Sequence, residues 1–388
     1  MQGDPERRNR LTRALGAAGL DAILCSSASD VLLCTGYWPV MAMSLSIVTS
    51  QGEAHVLLPE DEYELAHART SACIKTYKPN SLDRVTDLMT SISAPFAGVI
   101  SSLGLARATI GIRTKLSVQP ESYVVSTNFH GSVGTLISSS LPKARLVACD
   151  NLLDTQKAAK TPAELSHIQS SILAAGQGFG VAASSIRSGL REHHVASKFQ
   201  SAFDYAGDGA DVERSYGSFY CMSGPNSAKA AAAYARTRQR MIEHGDLVMI
   251  HANTCADGFW TDITRTYTAG EATARQQAIR VAIDEARAAA LSKIKPGVEA
   301  KVVDHAARSV MKSHGLGDAF KHATGHGVGY AAANANGIPR IHPCSPDKLE
   351  EGMTFNIEPA AYFEGYGGMR HCDVVAVTSN GCKVLTEF

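Results

Sequence analysis

No charge excess of either sign marks this chain: over 388 residues, Lys plus Arg and Asp plus Glu each number 37. No basic run is dense enough to track phosphates, so nucleic acid is not expected as a partner. Nowhere do 18 apolar residues run together, and the charged start MQGDPERRNR is followed by no apolar stretch of signal-peptide length. A cytoplasmic protein without membrane contact is the expectation. Paired cysteines are missing as well. The nine cysteines are odd in number and scattered, which suits a reducing compartment and small core residues better than a disulfide framework.

What is present is enough chain for two domains. Residues 1 to about 150 alternate helical and strand patterns (Leu11 to Leu20, Asp21 to Cys25, Leu45 to Thr49, His55 to Leu58), as a compact α/β domain would. The run from Asp30 to Trp38 reads as a strand end, with Tyr37 and Trp38 either packed at home or reaching a neighbouring molecule. Thr161-Pro162-Ala163-Glu164 is a helix start: Thr caps, Pro fits the first helical position, and Glu completes a capping box. Leu165, Ile168 and Ile172 continue it as an amphipathic helix. The boundary is placed just before it, giving domains 1–155 and 156–388. In the second, Ile186-Arg187-Ser188-Gly189 recurs as Ile294-Lys295-Pro296-Gly297, 108 residues on, with helical patterns on both sides of each copy. Two such units imply a pseudo-symmetric domain of helices backing a sheet.

The stretch Gly245 to Thr266 sets Leu247 to Ile250 against Phe259 to Thr266 across Asp257-Gly258, a hairpin signal. Alternation puts His251 and Asn253 on one face, and Trp260, Asp262 and Thr264 on one face of the return strand. If those faces align, His251 and Asp262 converge and can ligate a metal or handle a proton; otherwise they are a polar pair on a solvated hairpin. Further on, His322 and His326 stand among glycines that permit close backbone approach. Asn356 and Glu358 share a face of the alternating stretch Gly352 to Pro359. After a Gly-rich turn, Arg370, Cys372 and Val374 share a face of a return strand whose other face carries His371 and Asp373.

Taken together, Gly-Asp-Leu-Val at Gly245, Thr261-Asp262-Ile263-Thr264-Arg265-Thr266, Gly325-His326-Gly327-Val328-Gly329 and Phe355-Asn356-Ile357-Glu358-Pro359 resemble the pita-bread family of methionine aminopeptidases, Xaa-Pro peptidases and creatinase. The resemblance implies an α/β (α+β) fold, with a creatinase-type N-terminal domain followed by a pseudo-two-fold pita-bread catalytic domain. It also implies five metal-ligand positions, Asp, Asp, His, Glu and Glu. Here they fall on His251, Asp262, His326, Glu358 and Cys372, so two are altered. Where the peptidases place substrate-handling histidines stand Tyr234 and, seven and eight residues after His326, Ala333 and Asn334. Tyr234, Asn334 and Arg370 are the substrate-binding candidates; Glu358, His326, His251 and Tyr234 are the catalytic ones.

Two carboxylates neutralise two divalent ions poorly, so one metal is expected, zinc or iron before manganese, with Cys372 as a thiolate ligand. A metal-free site of the creatinase kind, with histidines as acid and base, is the alternative. A non-catalytic relative is the third reading. The first is preferred: a divergent Xaa-Pro peptidase-like hydrolase of an amide or other C–N bond in a small or short peptide-like substrate. Gly-Pro and Met-Ala are expected to be poor substrates. The resemblance further implies a homodimer, with Tyr37-Trp38 as the reach into the partner.

Overall fold

Strand periodicities in the first 150 residues become a six-stranded sheet. The computed structural model describes residues 4–41, 43–79, 82–83, 85–115, 129–206, 212–232, 236–332 and 337–388. Strands β1 (Ala22–Cys25), β2 (Leu45–Thr49), β3 (Ala54–Pro59), β4 (Cys73–Tyr77), β5 (Thr109–Ile112) and β6 (Arg145–Ala148) lie in the order β4-β3-β2-β1-β5-β6. Alternate residues Ala22 and Leu24, Leu45 and Ile47, and Leu57 pack on Ile92, Phe96 and Val99 of helix Leu88–Ser102. Period-two alternation thus supplies one apolar face.

One local reading is corrected. Asp30 to Thr35 belongs to a helix, Ala28–Thr35, because Ser27 caps it by accepting from the Asp30 N–H, and Gly36 ends it at φ 75°. Tyr37 and Trp38, 0 % and 2 % exposed, are buried in this unit. The Tyr37 hydroxyl donates to Glu62, whose carboxylate also accepts the Val40 and Met41 N–H groups. These aromatics are therefore not a loop reaching a partner.

The chain divides into two compact units, one ending at Lys157 and the other running Ala158–Phe388. The second opens with helix Pro162–Ser185, whose capping box joins Thr161 and Glu164. It is followed by helix Glu192–Ala206, as Ala274–Leu291 is followed by Ala300–Ser313. The repeated tetrapeptides turn each pair: Gly189 and Gly297 sit at φ 87° and 86°, and their N–H groups donate to Ile242 and Leu349 at 3.0 and 2.8 Å. Only glycine adopts that dihedral without strain, which is why the repeat shows as a matched glycine.

Strands β7 (Ser215–Ser223), β8 (Leu247–Ala256) and β9 (Phe259–Thr268) form an antiparallel sheet. Asp257 and Gly258 both take positive φ, 48° and 93°, the type I′ geometry that matches strand twist. Later strands are β10 (Thr354–Ile357), β11 (Ala360–Phe363), β12 (Gly367–Arg370), β13 (Asp373–Val377) and β14 (Cys382–Val384), paired β10-β13-β14 and β11-β12. Phe355 and Ile357 of β10 join Ile279, Ile283, Val303 and Met311 of the second helix pair in the core. Burying those two turns Asn356 and Glu358 to the opposite face. Among the described residues no helix is long and apolar enough to cross a membrane, and all nine cysteines are free.

Candidate active site

The hairpin register decides the first contact. His251 lies opposite Thr264 and Asn253 opposite Asp262, so all four share one face of the sheet. His251 and Asp262 are diagonal neighbours, Nδ1 to Oδ1 3.5 Å.

His326 arrives from a segment that runs antiparallel beside β10: the Val328 N–H donates to Thr354, the Asn356 N–H to His326 and the Glu358 N–H to Thr324. A Cβ on Gly325 would overlap the Asn356 carbonyl, and one on Gly327 the Ile338 carbonyl. The glycines flanking His326 are thus needed for close backbone approach. Gly325→Ala should destabilise the protein by about 3 kcal/mol, the upper end of overpacking, which a shifted urea midpoint would show. Asp304 anchors the same segment by accepting from Thr324 N–H and Oγ1 at 3.0 and 2.8 Å.

His326 Nδ1 donates to its neighbour's carbonyl, Gly327, at 3.2 Å, so Nε2 faces the site. Nε2 lies 3.5 Å from Asp262 Oδ2 and 3.9 Å from Glu358 Oε1. Burial disfavours an imidazolium there, but the Asp262 hydrogen bond and the two carboxylate charges outweigh it and raise the His326 pKa. Burial likewise opposes an ionised Asp262, yet His251, His326 and Arg370 hold it at about 2.

Arg370 changes the expected picture. Its Nη2 donates to His251 Nδ1 at 2.9 Å, its Nε to Thr264 Oγ1 at 3.0 Å, and its Nη1 stands 3.7 Å from Glu358 Oε2. A guanidinium has no lone pair to offer and does not deprotonate, so His251 must accept through Nδ1 and is neutral. Burial, reinforced by Arg370 against the pull of Asp262, lowers His251 to about 4. Tyr220 stacks over His251, ring centroids 5.9 Å apart. Arg370 is therefore held by protein groups from three segments.

Cys372 is bridged to Thr264 in the gap between β12 and β13, so the expected return strand is broken there. Alternation survives the break: His371 and Asp373 face away, where Asp373 meets Arg265 at 2.8 Å. The Cys372 thiol lies 3.2 Å from the Asp262 main-chain carbonyl and 3.9 Å from its carboxylate. Complete burial, with Asp262 and Glu358 nearby, pushes it well above the ordinary thiol range. These surroundings alone favour the thiol over the expected thiolate.

His251, Asp262, His326, Glu358 and Cys372 are thus neighbours, but they are not a ligand shell. Among the described residues no three His, Cys, Asp or Glu side chains are disposed to hold an ion. His251 Nδ1 is engaged by Arg370, and the thiol bonds a carbonyl. The donor set as it stands does not fit the expected metal. Tyr234 and Asn334, with Ala333, lie outside the described residues.

Sequence reading passed over Thr264 and Tyr362 as site residues. The Tyr362 hydroxyl donates to His322 Nε2 at 2.9 Å, since His322 Nδ1 donates to the Ala323 carbonyl at 2.8 Å. Burial pushes Tyr362 up to about 12, so it stays a phenol. No spacing rule would have joined it to His322, forty residues earlier.

Two family models match the chain: Metallopeptidase family M24 over residues 166–379 and Creatinase/Prolidase N-terminal domain over residues 7–159. The chain is 28% identical to the Xaa-Pro dipeptidase of Pyrococcus furiosus, an alignment covering 98% of each. It is 38% identical over 160 residues to the probable dipeptidase PepE of Mycobacterium tuberculosis, 41% of each chain. Among solved structures it resembles the prolidase from Pyrococcus furiosus with a TM-score of 0.77 and 27% identity, over 97% of this chain and 99% of that one.

Proposed function

The chain belongs to metallopeptidase family M24 and is a hydrolase acting on a C–N bond, and from that premise we propose that it works by acid-base chemistry of His326 and Glu358 without an ion in the site. The observation that carries this reading is Arg370, a fixed cation 2.9 Å from His251 Nδ1 and 3.7 Å from Glu358. Its charge stands where the family's altered ligand positions leave carboxylates to be balanced.

In this reading Glu358 takes a proton from a water whose oxygen adds to the substrate carbonyl carbon. His326, held towards its protonated form by Asp262, gives its proton to the leaving nitrogen as the C–N bond breaks. Glu358 then returns a proton to His326 across their 3.9 Å separation, so the cycle closes on one water and one amide. Asp262 orients and charges His326. The names of its relatives bring short peptides forward as the substrate class. Weak turnover of Gly-Pro and Met-Ala, a homodimer and a cytoplasmic location remain part of the proposal, the dimer no longer resting on Tyr37 and Trp38.

A second reading has one observation in its favour. Asp262 and Glu358 flank His326 Nε2 at 3.5 and 3.9 Å, so an ion would have to draw these three side chains into a shell that they do not form as they stand. One zinc or iron on those three, with Arg370 withdrawn, is that reading.

Elemental analysis of active protein never exposed to chelator separates them. Acid-base chemistry requires activity with far less than one transition-metal ion per chain. Cys372→Ala should then leave both activity and metal content unchanged. A stoichiometric ion, lost with activity in Cys372→Ala, would overturn the proposal.

A further inference from the structure

A cavity of about 490 Å³ lies on the far side of β9 from His326 and Glu358, where Arg265 and His371 face. Its volume is in the range of small-molecule sites, roughly 300–1,000 Å³. Ile186, Ile283 and Phe388 give it apolar surface, and helix Ala274–Leu291 brings Arg280 and Asp284 to its rim.

Two of the charged groups around the cavity are already engaged by one buried carboxylate. Arg265 meets Asp373 at 2.8 Å, and His371 stands 3.3 Å from the same side chain. Arg280 and Asp284 are different. One turn apart on a helix, opposite charges ordinarily attract each other, yet Arg280 is drawn instead to the strand, its Nη2 donating to the Thr266 carbonyl at 3.0 Å. Among the described residues its remaining N–H groups meet no acceptor, and the Asp284 carboxylate has no ion-pair partner. A cation and an anion thus border one partly apolar cavity without neutralising each other.

We propose that this cavity binds a free α-amino acid with an apolar side chain, its carboxylate on Arg280, its ammonium on Asp284 and its side chain against Ile186, Ile283 and Phe388. A simple anion would be repelled by Asp284 and a simple cation by Arg280, whereas a zwitterion matches both. The guanidinium offers a carboxylate two parallel N–H groups, the stronger kind of hydrogen bond. Hydrolysis of a short peptide releases molecules of this class, so the source of the ligand rests on the proposed function, while its binding does not.

Thermal shift of the full chain tests the site. About 10 mM L-leucine should raise the Tm of wild type by mass action. The analogues 4-methylpentanoate and 3-methylbutylamine, which keep the side chain but lack the ammonium or the carboxylate, should each raise it far less. In titration calorimetry, Arg280→Gln and Asp284→Asn should each weaken L-leucine about tenfold, the loss of one charge-assisted hydrogen bond. Both positions are exposed, so the unliganded Tm and the basal activity of the two variants should stay near wild type. No shift with L-leucine, equal shifts with leucine and either analogue, or leucine affinity unchanged in either variant, as binding in the active site would give, would overturn the inference. Leucine binding that obeys these expectations in a protein that cleaves no peptide would leave it standing and remove the hydrolase mechanism instead.

Discussion

Replacing His326 by alanine is expected to lower kcat by about 10²–10⁴-fold, the range for losing a positioned general acid, with KM within a few-fold of wild type. The side chain is oriented by the Gly327 carbonyl, which accepts from Nδ1 at 3.2 Å, and by Asn356, whose Oδ1 accepts the main-chain His326 N–H at 2.7 Å and whose Nδ2 stands 3.2 Å from Nε2. Among the described residues, Arg370 does not titrate near neutrality, burial lowers the pKa of His322, and burial keeps Tyr362 at about 12. The pH profile carries the second half of the prediction. His326 acts in its protonated form and its pKa is raised, so wild-type kcat should fall as pH rises through a value above 6.5. His326→Ala should lose that alkaline limb. Glu358→Gln, which cannot accept a proton, should fall by a similar factor. An alkaline limb that persists in His326→Ala would assign the acid elsewhere.

Arg370→Met should be the most destabilising change at the site, by about 3–5 kcal/mol, because it strips a buried cation from its partners. The side chains of Arg370 and Glu358 are each only 10 % exposed, so water cannot replace the lost charge. Three consequences combine: Glu358 and Asp262 face each other less compensated, His251 Nδ1 loses its donor, and Thr264 Oγ1 loses the Nε contact. Lysine should recover little, since one ammonium cannot span His251, Thr264 and Glu358 as a planar fork does. Urea midpoints of the three proteins measure this. Added zinc adds a sharper comparison. With the guanidinium gone, Asp262, His326 and Glu358 are left with excess negative charge, so zinc should restore part of the midpoint in Arg370→Met and leave wild type unmoved. Stabilisation of wild type by zinc would favour the ion-bound reading.

Local chemistry in the sequence was sufficient for the frame. Thr161 and Glu164 cap a helix, and Asp257-Gly258 takes two positive φ values, because caps and turns are settled by the residues that form them. Period-two alternation grouped His251 with Asn253, Asp262 with Thr264, and Asn356 with Glu358 by face, since a strand that buries Phe355 and Ile357 must present its other side chains opposite. The tetrapeptides at Gly189 and Gly297 exposed the duplication for the same reason: one dihedral admits one residue type.

What those inward-facing groups are was decided only by tertiary structure. Whether His251 is a ligand or a neutral acceptor depends on a guanidinium 119 residues away in sequence. Whether Cys372 is thiolate or thiol depends on burial and on Asp262 and Glu358 beside it. Protonation follows desolvation and nearby charge, both sums over segments remote in the chain. The run from Asp30 to Trp38 shows the same limit in the backbone, because an apolar stretch this short fits a strand or a buried helix equally until Ser27 and Gly36 close its ends.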